Sequence, residues 1–235
     1  MEAELPRVEQ PLLAGRAAVT ESLAVALLLS IAGGFLDAFT WLAHGKVFAN
    51  AQTGNVVFLG IYGALGEWPQ AIRHLPPIVA FSLGAFVAYR MLAPLFSLSV
   101  GILLLIIVAA LPHAFPDIAV TVGISFTAAL QTASFRKVES WNFSSVTVTG
   151  NLLRSMEQLA QPGIRATPRG AAVLAAVCAG FWVGAATGAF LTVRFANGAL
   201  AIPVALLSFV LWLCRRRLHG ESRPLNTMRS RHANR

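Results

Sequence analysis

Apolar residues run through this chain in long blocks. Leu23–Ala32, Ile78–Ala88, Val100–Leu111 and Ala171–Phe190 carry few charges, and they approach or reach the ~20 residues that span a bilayer. The pattern divides into eight apolar segments, at roughly 22–42, 47–66, 75–93, 95–111, 118–135, 144–159, 170–192 and 197–213. Two of them are spoiled at the centre. In "VFANAQTGNVVFLG" (47–60) the side chains of Asn50, Gln52, Thr53 and Asn55 surround Gly54. In "SSVTVTGNLLRSMEQLA" (144–160) the apolar part ends at Leu153, because Arg154 and Glu157 follow. A charge at mid-bilayer costs ~2.5–3.5 kcal/mol on insertion scales. A broken or re-entrant segment sheltered by its neighbours explains these polar centres better than a lipid-facing span.

The two TGN triplets belong to a longer correspondence. At an offset of 96 residues Thr53, Gly54 and Asn55 fall on Thr149, Gly150 and Asn151. In the same register Ala80, Gly84 and Ala88 fall on Ala176, Gly180 and Gly184. With a two-residue slip, "GGFLDAFTWL" lies against "TAALQTASFR" and Asp37 against Gln131. Two matches in one register predict a duplicated unit of four segments. The expected fold is therefore all-α: a polytopic membrane helix bundle of six to eight apolar segments in two internal repeats, each with a broken or re-entrant TGN segment. The expected divisions are a flexible cytosolic tail over 1–20, repeats over 21–113 and 114–214, and a basic cytosolic tail over 215–235.

Composition agrees. Of 235 residues 56% are hydrophobic and only 12% charged, against roughly 25% charged in soluble domains, and mean hydropathy is +0.67. Most of the net charge of +8 lies after Leu213. Arg215, Arg216 and Arg217 abut an apolar run, which reads as a positive-inside stop in contact with anionic lipid rather than a nucleic-acid patch. Loop charges separate two topologies. If all eight segments cross, four loop cations share the side of the tails and five lie opposite. If the TGN segments only dip in, Arg90, Arg136, Lys137, Arg154, Arg165 and Arg169 share the tail side, with Lys46, Arg73 and Arg194 opposite. The second arrangement suits the positive-inside rule better and makes the repeats inverted. Both place the two termini in the cytoplasm.

Candidate chemistry is sparse. Asp37 is the one acid well inside an apolar run, and an intramembrane carboxylate is a functional-site hypothesis by default; a helix break at Gly33 and Gly34 or snorkelling explains it equally well. Asn50, Gln52, Thr53, Gly54, Asn55, Gln131, Thr149, Gly150 and Asn151 complete a candidate binding set, since broken helices expose backbone and polar groups near the midplane. The same residues serve equally as a polar seam between helices. Ala80, Gly84, Ala88, Ala176, Gly180, Gly184 and Gly188, with Ala172, form small-residue stripes that let helix backbones approach, between the repeats or in a homodimer. Scattered histidines and two cysteines, Cys178 and Cys214, give no metal spacing or disulfide framework, and no hydrolase, zinc or phosphate-loop motif is present. No metal, cofactor or enzymatic activity is expected.

The run "GGFLDAFTWLAHGKVFANAQTGNVVFLG" resembles the YoaK-like family of bacterial membrane proteins, a domain of unknown function. The matching positions are Gly34, Asp37, Ala38, Gly45, Phe48, Gln52, Thr53, Gly54 and Asn55. The family's second motif is matched only by Gln131 and Ala133, with Thr132 in place of Asn and Leu130 before Gln131. Over about residues 20–215, the resemblance implies a bacterial inner-membrane protein with several spans and supplies no substrate or catalytic residue. The expected function is a small transporter or permease for a solute or ion, with its site between the TGN segments. The alternative is a non-transporting scaffold or regulatory partner.

Overall fold

The computed structural model describes residues 21–91, 93–112, 115–160 and 167–232, so the tail expected over 1–20 lies outside the described residues. Among the described residues the chain is all-α apart from one short hairpin. Its helices are α1 (Leu23–Ala43), α2 (Gln52–Ala64), α3 (Trp68–Ile72), α4 (Leu75–Met91), α5 (Pro94–Ala110), α6 (Asp117–Ser134), α7 (Val148–Ala160), α8 (Pro168–Phe195) and α9 (Ala201–His232). A 3₁₀ turn, Ala196–Leu200, joins α8 to α9, and β1 (Lys137–Val138) pairs with β2 (Trp141–Asn142) ahead of α7. Three boundaries differ from the sequence pattern. The segment expected over 47–66 becomes helical only at Gln52, because Asn50 turns its side chain to another helix. The short α3 fills the gap between the second and third segments. The last helix runs past the expected stop at 213 to His232, so the basic tail extends α9 as far as that residue.

Three stretches, Leu23–Ala43, Trp68–Met91 and Pro168–Arg216, are long and apolar enough to cross a membrane. The radial distribution of polarity points the same way. The outermost side chains include Val193 at 76%, Leu153 at 72% and Trp182 at 71% exposure, whereas Asp37, Asn50, Asn55, Gln131 and Asn151 are buried. Water would favour the reverse, whereas hydrocarbon favours this arrangement. Apolar packing fills the space between the polar groups: Leu29, Phe35 and Phe39 of α1 meet Leu98 and Leu105 of α5, Ile124 of α6 and Leu207 of α9 in one cluster.

Helix direction follows from which residues meet. Gly180 lies against Leu27, Gly184 against Ile31 and Gly188 against Phe35, so α1 and α8 are parallel. Gly84 lies against Phe126, and Arg136, just past α6, stands over Tyr89, so α4 and α6 are also parallel. His44 at the end of α1 bonds Asp117 at the start of α6, and Gln131 near the end of α6 bonds Leu29 near the start of α1; these two helices are antiparallel. The helices therefore interlace. The first helix of each expected repeat packs against the third helix of the other, α1 on α8 and α6 on α4, and corresponding helices point in opposite directions.

The packing depends on missing side chains. A Cβ on Gly184 would lie 2.0 Å from the Ile31 carbonyl oxygen, and one on Gly34 would lie 1.9 Å from that of Phe181. Ala80, Ala88 and Gly84 occupy the buried face of α4, and Gly180, Gly184 and Gly188 that of α8. Ala176 is half-buried and Ala172 is exposed, so the first turn of the expected stripe on α8 lies off the packed face.

Directions also fix where the TGN segments go. Since α1 and α4 run oppositely, the chain between them leaves and rejoins the same end of the bundle. Since α6 and α8 run oppositely, the same holds for the hairpin and α7 at the other end. Arg90, Arg136, Lys137 and Arg169 gather at the end where α1 begins, while Lys46, Arg73 and Arg194 lie at the opposite end. Arg165 is outside the described residues. The Arg169 guanidinium binds the Glu139 carboxylate at 2.8 and 2.9 Å at the hairpin tip, holding Glu139 below the usual carboxylate range.

Candidate functional site

Gly33 is the midpoint of α1, ten residues or ~15 Å from either end. Two strands of irregular backbone reach it, one from each end of the bundle. After α1 the chain turns through Gly45 and Lys46, both at positive φ, and drops back until Asn50 lies beside Gly33. There Asn50 Nδ2 donates to the Gly33 carbonyl at 2.8 Å, and the Asn50 backbone N–H donates to Asp37 Oδ1 at 2.7 Å. From the other end the chain passes the β-hairpin and brings up Ser145, whose carbonyl oxygen lies 2.7 Å from where a Gly33 Cβ would stand. Gln131 secures this second strand: its Nε2 donates to Ser145 Oγ at 3.2 Å and to the Leu29 carbonyl at 3.0 Å. Thr132 Oγ1 also meets Ser145 Oγ at 3.0 Å.

Leu29, Gly33 and Asp37 are spaced four residues apart and share one face of α1. The Gln131 amide caps the first carbonyl, the Asn50 amide caps the second, and the carboxylate follows. Both amide orientations are fixed by these bonds, because turning either would set two carbonyl oxygens against each other. Asn50 Oδ1 and Gln131 Oε1 are then left buried with no hydrogen-bond partner, as is the hydroxyl of Ser30.

The TGN residues do something else. Asn55 Oδ1 accepts from the Phe48 N–H at 3.0 Å while its Nδ2 donates to the Phe48 carbonyl at 2.7 Å. Asn151 does the same to Ser144, seven residues upstream, at 3.0 and 2.7 Å. Each asparagine clamps the strand before its helix. Asn55 is further engaged by Gln52 and by His74 Nδ1, and His74 stacks with Phe58 and Tyr62. Gly54 gives room to the Phe48 ring, 2.8 Å from its would-be Cβ. Thr53 and Thr149 point outward, and Gly150 is half-buried. Of the ten candidate residues, Asp37 and Asn50 meet at mid-helix, Gln131 binds α1 one turn earlier and holds Ser145, Gln52, Asn55 and Asn151 hold the strands that reach it, and Thr53, Gly54, Thr149 and Gly150 make none of these bonds.

Removing either clamp leaves a backbone N–H and C=O without partners, at ~1–3 kcal/mol for each orphaned group. Asn55→Ala and Asn151→Ala are each expected to lower the midpoint of thermal unfolding in detergent by similar, large amounts. An unfolding midpoint unchanged in either variant contradicts the clamp role.

Sequence reasoning missed Ser145, whose position in register corresponds to Ala49, and a second polar cluster at one end of the bundle, where buried His44 and Asn197 meet the exposed Asp117. There His44 lies between Asp117 Oδ1 at 2.9 Å and Asn197 Oδ1 at 3.1 Å, with Asn197 Nδ2 donating to the Leu111 carbonyl. The imidazole bonds both side chains and so ties α1, α6 and the turn before α9 together. It borders a cavity of about 210 Å³ that Arg73 also lines. A cavity of about 320 Å³ opens at the other end, lined by Glu21, Arg136, Lys137 and Asn142. No group of three or more His, Cys, Asp or Glu capable of holding a metal occurs among the described residues.

Apolar helices with a polar interior and two half-depth strands define a membrane-protein helix bundle. Within that class the chain belongs to the DUF1275 family, described as proteins of unknown function, which matches residues 25–213. This is the family that the run from Gly33 to Gly60 resembles. Searches of curated proteins and of solved structures return no match.

Proposed function

We propose that this chain is a small transporter or permease of the bacterial inner membrane, built from two inverted repeats, with its solute or ion site around Gly33. The observation that carries this reading is the meeting of two irregular strands, one from each end, at the middle of a helix beside a buried carboxylate. Non-helical backbone at membrane depth is tolerated where it is buried in protein or lines a cavity, and repeat-built transporters place their sites there. Duplication is supported by α2 and α7, whose bounds differ by the same 96 residues at both ends, and by the matching asparagine clamps. The site is centred on Asp37, Asn50, Gln131 and Ser145, with the TGN triplets in support. The positive-inside rule assigns the end bearing Arg90, Arg136, Lys137 and Arg169 to the cytoplasm, together with both termini. Arg216, over the Trp212 ring at 5.1 Å, is placed to meet anionic headgroups.

A non-transporting scaffold is favoured by one observation: Asn55 and Asn151 are fully engaged within the chain. Two measurements decide. Reconstituted protein is expected to carry solute or ion flux, and a scaffold carries none. Single cysteines at the exposed positions Lys46 and Ser140, in a background lacking Cys178 and Cys214, are expected to react with impermeant thiol reagents from opposite sides. Labelling of both from one side rejects the inverted arrangement.

A further inference from the structure

We infer that the groups around Gly33 form a binding site for a single dehydrated monovalent metal cation of Na⁺ or K⁺ size. The chemistry left over there is one-sided. The N–H donors of Asn50 and Gln131 are already engaged by Asp37, Gly33, Leu29 and Ser145. What remains is acceptor oxygen: Asn50 Oδ1 and Gln131 Oε1 have no hydrogen-bond partner, nor has the Ser30 hydroxyl of the same helix, and the Asp37 carboxylate, whose Oδ1 accepts the Asn50 N–H, adds a charge. Asn50 is 4% and Gln131 2% exposed, so neither oxygen has bulk water as a partner. Buried acceptors without donors call for an ion or an ordered water.

The donor set narrows the choice. Anions are repelled by a carboxylate and two carbonyl dipoles. A neutral solute with hydroxyl donors would satisfy these oxygens but would leave the Asp37 charge uncompensated in a low-dielectric interior. Soft and borderline metals want sulfur or imidazole, and neither is at the site. Ca²⁺ takes 6–8 oxygens, commonly from several carboxylates, and Mg²⁺ gives up its water reluctantly. With Asp37 the only formal charge here, a divalent ion would leave one charge uncompensated in a low-dielectric interior. One positive charge balances it. Each repeat contributes: Asp37 and Asn50 from the first, Gln131 from the second, so the ion would join the strands where they meet.

This site rests on the transporter reading for its location, but its test is a binding measurement that needs no transport. Full-length protein in detergent is unfolded thermally in NaCl, KCl or choline chloride at equal ionic strength. A ligand that binds only the folded state raises the midpoint, and saturation with Na⁺ or K⁺ is expected to raise it by roughly 5 °C over choline. Asp37→Asn, which keeps the size and an acceptor for the Asn50 N–H, is expected to abolish the difference. Identical midpoints in all three salts overturn the proposal and assign the oxygens to water. A cation shift undiminished in Asp37→Asn also overturns it. Should that variant not fold, radioactive ²²Na⁺ binding to the wild type, displaced by excess unlabelled Na⁺ or K⁺ but not by choline, decides in its place, and no retained label rejects the site. Cation binding without flux would refute the transporter alone, and flux indifferent to Na⁺ and K⁺ with no binding would refute the cation site alone.

Discussion

Gly184→Ala is expected to destroy the folded bundle, although alanine is the better helix former by ~1 kcal/mol. The added methyl carbon would lie 2.0 Å from the carbonyl oxygen of Ile31 and 2.7 Å from its carbonyl carbon, both of them backbone. No rotamer relieves that contact. Helices α1 and α8 must separate, and their interface is the most extensive between helices among the described residues. Overpacking a core costs 1–3 kcal/mol when side chains can shift, and here none can, so a loss of at least about 3 kcal/mol is expected. Gly180→Ala, one turn earlier on the same stripe, provides the control. Its nearest neighbour would be a Leu27 methyl at 3.5 Å, an ordinary contact. Size-exclusion profiles and thermal unfolding in detergent separate the two. A monodisperse Gly184→Ala protein with a wild-type unfolding midpoint would show that α1 and α8 do not pack as described.

The second large effect concerns Asp37. Asp37→Asn is expected to reduce flux in proteoliposomes to the level of protein-free vesicles while the protein elutes like wild type and, in choline chloride, unfolds like wild type. The asparagine keeps an oxygen for the Asn50 N–H, so the strand stays docked and only the charge is lost. Asp37→Ala should behave differently. It strands a buried N–H, at ~1–3 kcal/mol, and lowers stability as well as flux. A variant that is stable and inactive as asparagine, but unstable as alanine, separates the charge from the docking bond. Wild-type flux in Asp37→Asn would refute a role for the carboxylate in transport.

How much of this was legible beforehand depended on the range of the interaction concerned. The apolar blocks, the all-α class and the family followed from local composition and motif. Loop charges anticipated which cations share an end, because charge placement needs no knowledge of packing. The eye fell on the TGN triplets because they repeat, and their asparagines do recur in one role, yet that role is to hold the preceding strand. Asp37 and Gln131 were paired by register alone, while their meeting with Asn50 and Ser145 depends on how far irregular backbone folds back, which no periodicity encodes. Ser145 carried no signal, as a serine among serines and threonines. His44, Asp117 and Asn197 come from three distant parts of the chain, and nothing in sequence joins them.

The interlaced packing also has a consequence for synthesis. Helix α1 finds its main partner, α8, about 150 residues later, which at 5–20 residues per second is a wait of roughly 8–30 s. Through that interval its small-residue face has no final neighbour, whereas Asp37 has its partner, Asn50, within 13 residues. The first half of the protein must therefore be kept in waiting by the insertion machinery or by provisional contacts, and maturation is completed by the half made last.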